Sequence, residues 1–257
     1  MKLLDATHKK FRLASITKTR NLIKNGFVLV NQQIIKRPDT VIQFSDELEL
    51  LEHSKRHPKK LPFEILFEDA FILVTSKPAG KLVEDFFQQI QQYTSVILTH
   101  RLDQKVSGLM IFAKSREIEQ KLEADWDNNT KVYTALVERK PPQKAGTIES
   151  FLSEGKDLKM YSTTQEISGS KKAITHYKIA PLTSSLKGGT KLEIRLETGR
   201  KNQIRVHLSD IGCPIVGDLK YGAQTPMRGR IALHATVLSF NHPVTLKRMT
   251  FRQEAPF

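Results

Sequence analysis

The stretch VILTHRLDQKVSGLMIFAKS, residues 96–115, places two apolar runs on either side of a polar insert that closes on Ser107-Gly108. The simplest reading is strand, exposed loop, strand. Asp103 and Arg101 then stand two residues apart on a loop held at both ends by rigid elements, a position from which side chains reach a substrate. Taken alone, the pair reads more simply as a turn aspartate bonding to its own loop beside a solvated arginine.

A second segment, ETGRKNQIRVHLSDIGCPIVGDLKYG, begins at Glu197 with the end of a strand and turns at Gly199. A helix is expected next, because Ile204, Leu208 and Ile211 fall at i, i+4 and i+7 before Gly212 and Pro214 stop the pattern. Arg200 and Arg205 stand at its beginning and in its first turns. Such a cluster can pair with a carboxylate or hold phosphate with help from helix N-terminal amides, and on spacing alone it serves equally well as a solvated basic face. Around these segments, strand-like runs such as ILFEDAFILVTS, LMIFAKS and KLEIRLETG alternate with helical ones. In SREIEQKLEADW, Ile118, Leu122 and Trp126 recur every four residues, which predicts a core-facing stripe and gives Trp126 no function.

The front of the chain has a different character. Residues 1–60 hold thirteen Lys or Arg against six Asp or Glu, half of the formal charge of +14. SITKTRNLIKNG predicts a short helix carrying Lys18, Arg20 and Lys24, with Ser15 or Thr17 as its cap and Gly26 at its left-handed end. Short apolar runs follow, separated by Asn31-Gln32-Gln33 and Pro38-Asp39, and predict strands joined by turns. Residues 52–62, EHSKRHPKKLP, carry two prolines and four Lys or Arg with almost nothing apolar, as a linker does. With 257 residues the chain exceeds one typical domain of roughly 100 to 200 residues, so a small domain over 1–57 and a larger one over 62–257 are expected.

The charge selects polyanions as partners, either nucleic acid or an anionic membrane. No run of about 18 apolar residues occurs, and Asp5 and His8 interrupt any signal-peptide core, so a cytoplasmic protein without a membrane partner is expected. The single cysteine, Cys213, excludes an internal disulfide and reads as a small buried hydrophobe. The sequence has no Cys or His cluster of zinc-site spacing, no phosphate-binding P-loop and no G-x-G-x-x-G. The S-x-x-K strings at Ser15 and Ser168 lack companion motifs and are discarded.

Two resemblances connect these pieces. Lys18 to Lys24, Gly26-Phe27-Val28-Leu29-Val30-Asn31 and Ser45-Asp46 together resemble the S-four-like RNA-binding domain: a basic helix, then G-x-V-x-V-N, then a closing G-D or S-D before a last strand. Residues 62–257 resemble the RluA group of pseudouridine synthases, in four blocks that run in the expected order. These are Phe67-Glu68-Asp69 through Lys77-Pro78-Ala79-Gly80; His100-Arg101-Leu102-Asp103 with Ser107-Gly108-Leu109; Lys131-Val132-Tyr133-Thr134-Ala135; and Gly199-Arg200 through Gln203-Ile204-Arg205-Val206-His207 with Pro214-Ile215-Val216-Gly217-Asp218. Leu233-His234-Ala235 and His242-Pro243 follow near the end. The sequence departs from the group at Asn202, where His is usual, at Val106, where Thr is usual, and in a short span between Gly80 and His100.

The resemblance implies an α+β fold: a larger domain with a mixed, largely antiparallel sheet and a central cleft, behind a small N-terminal α/β module. It implies isomerisation of uridine in RNA, which conserves composition and needs neither redox cofactor nor metal. Asp103 would act as nucleophile, since a carboxylate can take that covalent role when ionised and aimed by a guanidinium. Arg205 is the first choice for that partner and Arg200 the second. Tyr133 would stack on the uracil and assist loss of the carbon-five proton. Arg101, beside His100, would enter the space left by the flipped base. Lys18, Arg20 and Lys24 would contact phosphates. Ribosomal RNA is expected ahead of transfer RNA, with no DNA partner and a monomeric state. An RNA-binding protein without chemistry is the second reading. A DNA-binding regulator is a third, for which no helix-turn-helix or zinc-finger pattern stands out.

Overall fold

A computed structural model describes residues 1–11, 15–24, 26–50, 61–181 and 189–257, and the chain divides into two compact units, Met1–Leu61 and Pro62–Phe257. The expected linker at 52–62 falls almost wholly on residues outside this description.

In the first unit, helices α1 (Leu3–Lys10) and α2 (Ile16–Lys24) precede strands β1 (Val28–Val30), β2 (Gln33–Ile34) and β3 (Leu48–Leu50), which pair antiparallel in the order β2-β1-β3. Asn31 and Gln32 both take positive φ, 50° and 66°, the conformation that joins two strands in a tight hairpin. Leu3, Leu4, Ile23, Val28, Val30 and Leu48 close a small core. The α1 helix goes beyond the elements expected from the sequence: within MKLLDATHKK, Leu3, Leu4, Ala6 and Thr7 form the inward face of a helix. Arg20 and Lys24 project from α2 into solvent, while the side chain of Lys18 lies outside the described residues.

The second unit is built on β4 (Ile65–Glu68), β5 (Ile72–Lys77), β6 (Ile97–Leu98), β7 (Ser107–Ala113), β8 (Thr130–Val137), β9 (Ala145–Glu154), β10 (Met160–Thr163), β11 (Lys171–Ile179), β12 (Thr190–Leu196), β13 (Leu233–Asn241) and β14 (Arg248–Arg252). They form one sheet in the order β10-β9-β11-β12-β8-β13-β7-β5-β4, with β14 on β13 and β6 on β7. Helices α3 (Val83–Tyr93), α4 (Arg116–Ala124) and α5 (Gln203–Asp210) complete the unit. The class is α+β with a mixed, mostly antiparallel sheet. Among the described residues the one parallel ladder is β13 to β7, where His234 faces Ser107 and Ala235 faces Gly108.

All of β7 is buried, because both faces of the sheet are covered at that strand. Met110 and Phe112 join the core that receives Phe86 and Ile90 of α3, and Leu109, Ile111 and Ala113 join the core that receives Ile118 and Leu122 of α4. Each such large apolar side chain contributes about 1.5–3 kcal/mol on burial. Gly108 makes the parallel contact possible: its φ is +126°, and a Cβ there would collide with the backbone nitrogen and oxygen of Ala235.

α4 ends at Ala124, and Trp126 sits in the following 3-10 turn. Ile118 and Leu122 are buried, and the half-buried Trp126 packs against the same core, as the spacing predicts, while also lining the cavity described next.

Candidate active site

Asp103 lies on the loop between β6 and β7, whose turn is closed by the Val106 amide donating to the Asp103 carbonyl at 3.1 Å. The loop stands over a cavity of about 760 Å³ lined by, among others, Arg101, Asp103, Trp126, Lys131, Tyr133 and Arg205. Tyr133 and Lys131 come from β8, and Arg205 comes from α5.

Arg205 aims the carboxylate. Its Nη1 donates to Asp103 Oδ2 at 3.0 Å, while Nε and Nη2 grip Asp218 at 2.7 and 2.8 Å in a fork. Nη1 also donates to the Asn202 side-chain oxygen at 2.7 Å, and the Asn202 amide donates to the Tyr221 hydroxyl at 3.1 Å. The guanidinium lies over the Tyr221 ring at 4.7 Å. Burial opposes the charge on Arg205, but the hydrogen bonds and charge of Asp218, followed by those of Asp103, hold its pKa above the ordinary arginine value. Gly217, at φ +89°, allows the chain to turn against the backbone of Arg230 and deliver Asp218 to the guanidinium.

Lys77 is fully buried beneath the loop. Its ammonium donates to the carbonyls of Pro78 and Lys81, each at 2.9 Å, and of Gln104 at 3.3 Å, and the Gly80 amide donates to the same Gln104 carbonyl at 2.8 Å. The turn after β5 is thereby tied to the residue that follows Asp103. Burial pushes the Lys77 pKa down to about 8, against the pull of Asp103 and with that of Lys81.

Burial, and then the charge of Asp103, raise the phenol of Tyr133 above the usual tyrosine range. Arg101 is exposed at the rim and paired with Glu84. Arg200 is also exposed; its Nε donates to the Lys172 carbonyl at 3.1 Å, so the site draws on Arg205 and not Arg200 to hold Asp103. His100 faces the cavity with a neutral ring: Nε2 accepts from the Ile111 amide at 3.1 Å, and burial, then Lys131, push its pKa down to about 3. Among the described residues, no group of three or more His, Cys, Asp or Glu is placed to hold a metal ion, and no helix is long and apolar enough to cross a membrane.

The structure thus brings together Asp103, Tyr133, Arg205, Arg101, His100 and Arg200 around one cavity. Lys18, Arg20 and Lys24 belong to the other unit. Asp218, Lys77, Asn202 and Tyr221 carry the arrangement without having been assigned roles from sequence. A lone acidic residue after Gly217 in an otherwise apolar run, and a lysine between a strand and Pro-Ala-Gly, were the signals available for the first two.

Comparison with known proteins gives the family of the chain. The family model described as RNA pseudouridylate synthase matches residues 72–210. The chain is 36% identical over 248 residues to "Uncharacterized RNA pseudouridine synthase YhcT" of Bacillus subtilis (strain 168), covering 89% of this chain and 79% of that protein. It is 30% identical over 272 residues to "Ribosomal large subunit pseudouridine synthase D" of Zymomonas mobilis, covering 92% and 84%. Among solved structures, "Human RNA Pseudouridylate Synthase Domain Containing 1" shares the fold, with a TM-score of 0.66 at 23% identity over 77% of this chain and 85% of that one.

Proposed function

The chain belongs to the RNA pseudouridylate synthase family, and from that premise we propose that it isomerises uridine in structured RNA with Asp103 as nucleophile, large-subunit ribosomal RNA being its substrate class. The observation that carries the assignment is the Asp103 carboxylate held by Arg205 at 3.0 Å inside a cavity shared with Tyr133. The substrate class follows the printed activity of relatives such as the Zymomonas mobilis protein.

In the reaction the bond between uracil N1 and the sugar breaks, the base turns, carbon five bonds to the sugar, and the carbon-five proton leaves while N1 gains one. Asp103 either attacks the sugar or drives an elimination; both routes pass through the same carboxylate. Arg205 keeps the carboxylate pointed at the bound nucleoside, and Asp218 and Asn202 keep Arg205 from turning away. Tyr133 presents its ring to the uracil and a neutral phenol to the proton transfer at carbon five. Flipping the uridine out of the stack costs a few kcal/mol, and Arg101 at the rim fills the gap once it leaves Glu84.

The first unit, in this reading, is the S-four-like domain and holds neighbouring RNA through Lys18, Arg20 and Lys24, raising the effective concentration at the cavity. Deleting residues 1–57 should lower RNA affinity and flatten its salt dependence. The deciding experiment is tritium release from carbon-five-labelled uridine in total cellular RNA by the wild-type chain and by Asp103→Asn. Release by the wild type alone supports the assignment, and no release by either protein overturns it.

A further inference from the structure

Lys131 precedes Tyr133 by two residues on β8, so the two side chains leave the same face of the strand, and both line the cavity that holds Asp103. The residue is 9% exposed. Among the described residues its ammonium enters no hydrogen bond and no ion pair, and the contact it makes is with the Trp126 ring, 5.1 Å from Nζ to the centroid. A charge buried to this degree is ordinarily paired or neutralised.

Among the described residues the surroundings provide no ion-pair partner. Asp127 attracts the ammonium through space without reaching ion-pair distance, and the neighbouring His100 ring is neutral and bonded to the Ile111 amide. The two carboxylates that line the cavity are engaged elsewhere, Glu84 by Arg101 and Asp103 by Arg205. A desolvated cation therefore faces an open cavity whose two lining carboxylates are both engaged by arginines, in an enzyme whose substrate is a polyanion. The cavity is also far larger than a uracil base, so it admits sugar and phosphate with it.

Building on the proposed function, we propose that Lys131 binds a phosphodiester oxygen of the substrate strand next to the flipped uridine, with the Trp126 ring holding the ammonium in place. Two residues of strand separate Lys131 from Tyr133 by roughly 7 Å, a spacing on the scale of one nucleotide. A base against Tyr133 and its adjoining phosphate at Lys131 fit one bound strand.

The test compares wild type, Lys131→Met and Lys131→Arg by the slope of log affinity against log salt on unmodified large-subunit ribosomal RNA transcript. Losing one phosphate contact should reduce the slope by roughly 0.7 to 0.9 in Lys131→Met, and Lys131→Arg should retain it. Thermal stability of Lys131→Met should be equal to or above that of wild type, because the replaced charge has no hydrogen-bond or ion-pair partner among the described residues. An unchanged slope in folded Lys131→Met overturns the proposal. If Lys131→Met does not fold, Lys131→Gln replaces it, and failure of both overturns the proposal by making the ammonium part of the fold's own packing. Tritium release is assayed separately on the same transcript: its absence from wild type counts against the proposed function, while the slope comparison still decides the role of Lys131.

Discussion

Arg205 faces Asp103 with one nitrogen and Asp218 with two, so the carboxylate proposed to react is held more lightly than the carboxylate that only supports. The direction of Asp103 is therefore set by a side chain whose own direction is fixed from behind.

Asp218→Asn should weaken that fixing. Breaking a buried ion pair of this kind costs about 3 kcal/mol of stability, and a misdirected Asp103 should lower kcat by about a hundredfold. Denaturant melts and single-turnover tritium release check the two effects; a stable variant with undiminished kcat would show that Asp218 does not position Arg205.

Lys77 gives a pH signature. Its pKa in the folded chain is about 8 and its ordinary value 10.5, so the unfolded chain binds more protons between these limits and stability rises with pH across that window. Below pH 8 the penalty for burying the ammonium is fully present. Thermal melts from pH 7 to 11 should show this rise in wild type and a shallower profile in Lys77→Met. Identical profiles would mean that Lys77 does not titrate in this window.

Tyr133→Phe should leave RNA affinity within a few-fold and lower turnover by at least about a hundredfold, the lower range for loss of a proton-transfer group. Because burial and Asp103 raise the phenol's pKa, wild-type activity should show no alkaline limb from phenolate formation up to pH 10. A limb near pH 10 that vanishes in Tyr133→Phe would contradict this picture.

Arg101→Ala should reduce activity on structured RNA much more than on a short flexible oligonucleotide, where no stacked gap needs filling. Equal losses on both would remove the gap-filling role. Glu84→Gln releases Arg101 at the rim and should not reproduce the Arg101→Ala defect.

Gly108→Ala should be among the most damaging single-methyl changes in the chain, costing about 3 kcal/mol or more, since it combines positive φ with a backbone collision at Ala235. Circular dichroism melts would reveal it directly, and a variant as stable as wild type would show that β7 and β13 can separate.

Much of this was legible in the sequence. The strand-loop-strand reading around Asp103 and the helix bearing Arg205 follow from apolar spacing, and the structure places both as that spacing requires. Spacing could not reveal Asp218, whose distance from Arg205 in the chain is bridged by the turn at Gly217, a property of φ and not of pattern. Lys77 escaped because a buried lysine bonded to three carbonyls has the same one-dimensional appearance as a solvated one. Trp126 packs against the core as its spacing requires, but periodicity could not show that it also lines the cavity, because that depends on the 3-10 turn that follows α4.

The parallel ladder between β13 and β7 has a further consequence. Asp103 precedes β7 on one side of that junction, while Tyr133 and Arg205 belong to the other. Neither half of the sheet alone contains both Asp103 and Arg205, so a nascent or partly opened chain does not yet hold the pair proposed to react. On the proposed function, the ability to act on RNA is thus acquired only when β13 has docked against β7, and a chain that basic can meet RNA during its own synthesis without yet being able to alter it.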